Sequence, residues 1–146
     1  MKKIILSLVM VITVVASALA SDETINERVA KAFTKEFSAA KDAVWTVENN
    51  VYKVTFTYYD RNISAFYDKR GFLMGVSRHM LSTELPYYLQ KELKEYYNEY
   101  WIVSLFELSK DSGTSYHAVL KNAEETIVIS SSENNNWELF NHHKNL

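Results

Sequence analysis

The chain has no cysteine, one proline and only three glycines in 146 residues. Without cysteine there is no disulfide, no thiol nucleophile and no attachment point for a lipid after an export signal. The three scattered glycines exclude a glycine-rich phosphate-binding loop, and the HExxH zinc motif is absent. The sequence therefore predicts no catalytic residues and no cofactor, and we do not expect an enzyme.

Long apolar runs are also scarce, with one exception at the N-terminus. Two lysines at positions 2 and 3 precede an apolar stretch over 4–16, and small residues flank Leu19 before the chain turns polar at Ser21. This pattern is typical of a secretory signal peptide, here residues 1–20. The alternative is a membrane anchor, but the run is shorter than the roughly 18 residues that span a bilayer. We expect a periplasmic or secreted protein that has no membrane segment after cleavage.

The predicted mature chain, 21–146, has little net charge. It retains 14 basic and 18 acidic residues, a net charge of −4, which argues against nucleic acid as a partner. Its length fits a single domain that can bury its own apolar core.

The first half reads as one helix followed by strands. Apolar residues at Ile25, Val29, Phe33 and Phe37 recur at helical spacing and predict a helix over 24–38. Alternating polar and apolar residues, separated by turn residues such as Asn49-Asn50 and Asp60-Arg61, then predict strands over 43–47, 51–59, 62–68 and 72–78.

The second half repeats this order. Ser82 or Thr83 can cap a helix whose first turn accepts Pro86, and an apolar stripe continues to Tyr100. Strands are predicted over 101–109, 114–121, 125–131 and 137–140, followed by a loose tail over 141–146. The last strand offers an exposed edge through which two copies could pair.

Together these elements predict an α+β fold. Two tandem αββββ repeats, about 24–80 and 82–141, would form one curved antiparallel sheet with both helices packed on one face. The other face would remain open.

Hairpin register decides which residues reach that open face. A turn at Asp60-Arg61 places Phe66 on it, and a bulge at Gly113 places Glu107 opposite His117 on the same side. The residues predicted to bind a partner there share this parity and are Tyr59, Phe66, Trp101, Leu105, Glu107, His117 and Val119. A mixed surface of apolar, aromatic and scattered charged residues is typical of a protein-binding face.

The histidines offer two chemical alternatives. His117 and Glu107 could form a base-orienting pair, although a surface cross-strand pair is favoured because no nucleophile accompanies them. His142 and His143 could bind a transition metal, but two adjacent imidazoles in a tail make a weak site, and no metal is expected.

Several short motifs resemble a known family. They are Val29-Ala30-Lys31-Ala32-Phe33, Val44-Trp45, Ala65-Phe66-Tyr67-Asp68 with Gly71, Tyr100-Trp101-Ile102, and Gly113-Thr114-Ser115-Tyr116. The chain resembles the β-lactamase-inhibitor-like, PepSY-like family of exported Bacteroidetes proteins over 24–140. The resemblance implies tandem repeats forming a curved sheet in the periplasm or outside the cell, in a family that has no established activity. The expected partner is another exported protein, and a protease or other envelope enzyme is one candidate.

Two functions follow as expectations. The first is a non-catalytic binding or inhibitor-like module that docks an exported protein on the open aromatic face. The second is a small-ligand-binding or envelope-sensing domain that uses a pocket between helix and sheet.

Overall fold

The computed structural model describes residues 25–132 and 135–145. The predicted signal peptide lies outside these ranges. In chain order the elements are α1 (Glu27–Glu36), β1 (Lys41–Glu48), β2 (Val51–Tyr58), β3 (Arg61–Asp68), β4 (Leu73–His79), a 3-10 turn (Ser82–Glu84), α2 (Tyr87–Tyr96), β5 (Trp101–Lys110), β6 (Gly113–Lys121), β7 (Glu125–Ser132) and β8 (Glu138–Lys144).

The strands of the described residues form one eight-stranded antiparallel sheet whose strand order follows the chain. The chain divides into two compact units, one ending at Gly75 and the other starting at Val76. None of the helices in the described part of the chain is long and apolar enough to cross a membrane.

In the first unit, α1 packs on the sheet through aromatic rings. Asn26 caps the helix by accepting a hydrogen bond from the backbone of Arg28 at 2.9 Å. Two turns after Asn26, the Phe33 ring meets Trp45 and Phe56 edge-on, with centroids 5.3 Å and 5.0 Å away. The predicted apolar stripe is therefore the buried face of the helix.

The β2–β3 hairpin confirms the predicted faces but not the predicted turn. Tyr58 pairs with Arg61, so the two turn residues are Tyr59 and Asp60, both with positive φ (45° and 61°). Positive φ at both central residues is the type I′ geometry that matches strand twist. The register differs by two residues from the expected one, which leaves each side chain on its predicted face but moves Tyr59 from the strand into the turn.

In the second unit, the 3-10 turn precedes α2 and Pro86 stands immediately before the helix, rather than in its first turn. Leu89 and Leu93 of α2 are buried. They join a core formed with the helix-facing side chains of the strands, which are Leu105, Ala118, Leu120, Ile127 and Ile129, together with Met80, Leu85 and Trp137.

The β5–β6 register was predicted wrongly by one residue. Lys110 pairs with Gly113, so Leu105 stands opposite Ala118, and Phe106 stands opposite His117. The loop is a two-residue turn, not the longer bulged loop that the sequence suggested. Successive side chains on a strand point to opposite faces of the sheet. A register error of one residue therefore places Leu105, Phe106 and Glu107 on the faces opposite to those predicted.

The C-terminal tail was also predicted wrongly. Strand β8 continues to Lys144, and Asn145 is tied back by hydrogen bonds with Asn122 and Thr126. Trp137 precedes the strand and is buried, with its indole N–H donating to the carbonyl of Leu89 at 3.1 Å. The indole bond and the asparagine contacts fix this segment, which composition alone marked as loose.

Candidate functional site

The predicted partner-binding residues do not form one exposed surface. We call the sheet face opposite to the helix in each unit the open face. By register, Phe66, Trp101, His117 and Val119 lie on it. Leu105 and Glu107 lie on the helix face, contrary to prediction.

Exposure separates these residues further. Tyr59 is 75% and Trp101 54% exposed, whereas Phe66, Leu105 and His117 are 0%, 4% and 4% exposed. The expectation that Phe66 and His117 are accessible was therefore wrong. Both lie on interior strands, where each has ladder neighbours on two sides.

Polar side chains that surround Phe66 on the open face are also partly buried. Lys53 stands directly opposite on β2, and burial lowers the pKa of its ammonium group below the ordinary value. Thr55 and Ser64 follow on the same face and hydrogen-bond to each other at 2.9 Å. This part of the face is closely packed.

Glu107 belongs to an ion network on the helix face. Arg78 reaches Glu107 at 3.2 Å and Glu84 at 3.1 Å through its two terminal nitrogens. Burial lowers the pKa of Arg78, but the hydrogen bond with Glu84 and the charge of Glu107 outweigh it and raise the pKa overall. Sequence reasoning missed Arg78, because only the correct register places it opposite Glu107.

His117 is a buried imidazole and does not form the base-orienting pair with Glu107 that the sequence allowed. Its ring stacks on Phe106 with centroids 5.1 Å apart, and Nε2 hydrogen-bonds the hydroxyl of Ser115 at 2.9 Å. Nδ1 is buried and has no hydrogen-bond partner among the described residues. Burial, followed by the charge of Lys110, lowers the pKa of His117 to about 4. Because Glu107 points to the opposite face, the base-orienting pair that the sequence allowed does not form.

The two adjacent tail histidines lie on opposite faces of β8. His142 pairs with Ile127 in the ladder and bonds Glu125 at 2.6 Å, while His143 pairs with Thr126 on the other face. The hydroxyl of Tyr100 donates to the same carboxylate, a hydrogen bond that lowers the pKa of Glu125. In residues 25–132 and 135–145, no three histidine or carboxylate side chains gather as metal ligands.

An exposed apolar segment marks the start of β5. Trp101 and Val103 are 54% and 55% exposed, and Ile102 between them is 42% exposed. The pairing with β6 is irregular between Ile102 and Ser104, which is the signature of a β-bulge. Three consecutive exposed apolar residues are unusual outside functional surfaces.

The first unit has a matching irregularity at the start of β1, but with different chemistry. There the register shifts between Lys41 and Val44, and the intervening Asp42 has a φ of 55°. The segment of the first unit therefore begins with two charged residues before Ala43 and an exposed Val44 (64%), whereas that of the second unit is apolar from its first residue.

A cavity of about 400 Å³ lies between α2 and the sheet of the second unit. Its wall is formed by Leu93 and Tyr97 of the helix side and by Ile102 and Leu120 of the strands, with Tyr100 beside them. Polar side chains complete the lining: Ser82, Thr83, Gln90, Lys94 and Asn98. The sequence predicts a pocket between helix and sheet, but none of these residues was assigned to it.

No protein-family model matches the chain, and no curated protein matches its sequence. Solved structures do match its fold. A BLIP-like protein from Bacteroides fragilis is 13% identical with a TM-score of 0.67, covering 83% of this chain and 86% of that one. The chain has a BLIP-like fold.

Two further structures support this conclusion. A DUF2874 family protein from Bacteroides ovatus is 10% identical with a TM-score of 0.72, covering 84% of this chain and 89% of that one. A candidate periplasmic protein from Bacteroides eggerthii is 9% identical with a TM-score of 0.72, covering 83% and 89%. The resemblance predicted from the sequence is confirmed at the level of fold. None of the three is described as an enzyme, and the last is described as periplasmic.

Proposed function

We propose that this BLIP-like chain is an exported, non-catalytic module that docks another periplasmic or extracellular protein through the exposed segment Trp101 to Val103. The observation that carries the proposal is the exposure of three consecutive apolar residues at a bulge, in the second unit alone. Tryptophan is the residue type most enriched among interface hot spots, and a bulge aims side chains outward at a strand end.

The proposal keeps the predicted function but moves its residues. Trp101 remains from the predicted set and Val119 flanks it on the open face, whereas Phe66, Leu105 and His117 are buried and Glu107 is held by Arg78. Tyr59 is exposed in its own turn in the first unit. We further propose that the two units are tandem PepSY-like repeats, since both helices are followed by a short turn and a bulged strand.

The test is site-specific crosslinking in the native envelope. A photo-crosslinking residue at position 101 should yield one saturable adduct, whereas the same residue at position 41, at the charged bulge of the first unit, should not. The class expected from the predicted family is a protease or other envelope enzyme.

The adduct identifies a partner that can be purified for affinity measurement. Trp101→Ala should weaken its binding at least tenfold, as truncation of a central aromatic anchor does. Tyr87→Ala, which removes a more exposed ring from α2, should leave affinity unchanged. Absence of a saturable adduct, or equal affinity of Trp101→Ala and the parent, contradicts the proposal.

A further inference from the structure

The cavity of the second unit has the size and lining of a small-molecule site. Its volume of about 400 Å³ lies within the range of roughly 300–1,000 Å³ found for ligand pockets. Leu93 and Leu120 are 9% and 1% exposed, so the wall behind them is anchored in the core. The rings of Tyr97 and Tyr100 meet at 65° with centroids 6.2 Å apart, and both line the cavity.

The first unit shows how the same position looks when aromatic rings fill it. Sixty residues before Leu93 and Tyr97, the helix side carries Phe33 and Phe37. Both rings pack on Phe56 of the sheet, with centroids 5.0 Å and 4.8 Å away. In the second unit a leucine replaces the first ring, and an open space remains. The two phenylalanine rings of the first unit therefore occupy the position that corresponds to Leu93 and Tyr97 at the cavity wall of the second unit.

The polar lining carries one uncompensated charge. Lys94 is exposed, lines the cavity and forms no ion pair within the described residues. Its neighbour on the helix, Lys91, pairs instead with Glu95 at 3.6 Å. Gln90 uses its amide nitrogen to hold the carbonyls of the preceding turn, at 2.8 Å and 3.3 Å.

Two acidic side chains of the second unit, Glu92 and Glu125, are engaged by other partners. Glu92 accepts a hydrogen bond from the backbone N–H of Trp137 at 2.9 Å. Glu125 accepts hydrogen bonds from Tyr100 and His142. Burial, with the charge of Glu92 second, raises the pKa of Tyr97, which keeps this phenol neutral. The ammonium group of Lys94 therefore lies beside two tyrosine walls, and the charge of Glu99, next to Tyr100 in the chain, also acts at this site.

We propose that this cavity binds a small aromatic carboxylate, with its ring against Tyr97 and Tyr100 and its carboxylate at Lys94. Aromatic rings prefer offset or edge-on contacts with other rings, which two inclined tyrosines provide. A carboxylate supplies the charge that Lys94 lacks. The inference goes beyond protein docking, because it concerns the helix side of the sheet and a different class of ligand.

The test uses 2-naphthoate and its neutral amide, 2-naphthamide, as probes. Titration of the 15N-labelled protein followed by NMR should shift amide signals of the cavity-lining residues and yield tighter binding for the carboxylate. Lys94→Gln should weaken 2-naphthoate about threefold to fivefold, the scale of an exposed charge pair, and leave 2-naphthamide unchanged. Lys91→Gln is the matched control, and it should change neither affinity.

A second variant tests the location of the site. Leu93→Phe copies the first unit and should fill the cavity, which removes binding of both probes in a folded protein. Ile102 belongs to both the docking segment and the cavity wall, whereas Trp101 lies on the opposite face of the strand. Trp101→Ala should therefore leave binding of both probes intact, which separates ligand binding from protein docking. The proposal is overturned if 2-naphthoate shifts no lining residue at millimolar concentration. Equal binding of 2-naphthoate by the folded Leu93→Phe protein, or by Lys94→Gln, also overturns it.

Discussion

Acidification should destabilise this protein through one buried imidazole. His117 is 4% exposed, and its Nδ1 has no hydrogen-bond partner in the described part of the chain. Burial and the charge of Lys110 lower its pKa from 6.5 to about 4. Between these two pH values, His117 is therefore neutral in the folded state and protonated in the unfolded chain.

The sign and size follow from linkage. The folded pKa is below the unfolded one, so the contribution of neutral His117 is complete above pH 6.5 and is lost as the pH falls toward 4. Each pKa unit is worth about 1.4 kcal/mol, so the free energy of unfolding should be lower by about 2 kcal/mol at pH 5 than at pH 7. Below pH 4 the loss from this group levels off near 3 kcal/mol.

Urea unfolding at pH 7 and pH 5 measures this loss, with His117→Phe as the informative variant. Phenylalanine can keep a ring against Phe106 but does not titrate, and the Ser115 hydroxyl retains the carbonyl of Leu108 at 3.4 Å. The difference between the parent and His117→Phe should change by about 2 kcal/mol between the two pH values. Ser112→Ala, an exposed change in the turn between β5 and β6, should keep the parental pH dependence.

A direct measurement complements the unfolding data. NMR titration of the imidazole signal should place the midpoint for His117 near 4, far below that of an exposed histidine. A midpoint near 6.5, or identical pH dependence of the parent and His117→Phe, would refute the reasoning, because it would mean that the imidazole is solvated in the folded state.

Three further changes test the packing around the candidate sites. Trp137→Ala should lower the free energy of unfolding by about 3–5 kcal/mol in urea titrations, whereas Leu139→Ala, at an exposed position of β8, should have little effect. Gly71→Ala should cost about 1–2 kcal/mol in the same assay, because φ is +86° and the added Cβ would lie 3.0 Å from a backbone oxygen of α1; an unchanged midpoint would contradict this. His142→Gln removes the imidazole that bonds Glu125 and should speed amide hydrogen exchange in β8 but not in β6. If the exchange rates of β8 are the same in the variant and the parent, this contact does not hold the strand.

The sequence predicts faces well where one set of alternating positions is clearly apolar. In β2 the even positions, Tyr52 to Tyr58, are all apolar or aromatic and most of the odd positions are polar, so both helix and open faces follow from alternation alone. This assignment held although the predicted strand register was wrong by two residues. The Asn49-Asn50 turn was also predicted correctly, because both asparagines accept the positive φ that the hairpin requires.

Strand β5 shows why the candidate site was harder to predict. Its odd positions include Leu105 and Glu107, while its even positions include Phe106 and Lys110, so neither set is clearly the apolar one. Register then depends on whether Gly113 belongs to the loop or to the strand, a choice that local turn chemistry does not make. Because the loop is one residue shorter than predicted, Leu105 and Glu107 lie on the helix face instead of the open face. There Leu105 is buried in the core and Glu107 pairs with Arg78.

The two units differ most where sequence and scaffold leave a choice. At the helix–sheet corner, the first unit has a phenylalanine cluster and the second has an aromatic-lined cavity. At the bulge of the next strand, the first unit has Lys41 and Asp42, and the second has Trp101 and Ile102. Neither difference follows from the order of elements, since both units place a helix, a short turn and a bulged strand in succession. Crosslinking at position 101 and ligand titration at the cavity are therefore the experiments that decide whether these differences serve binding.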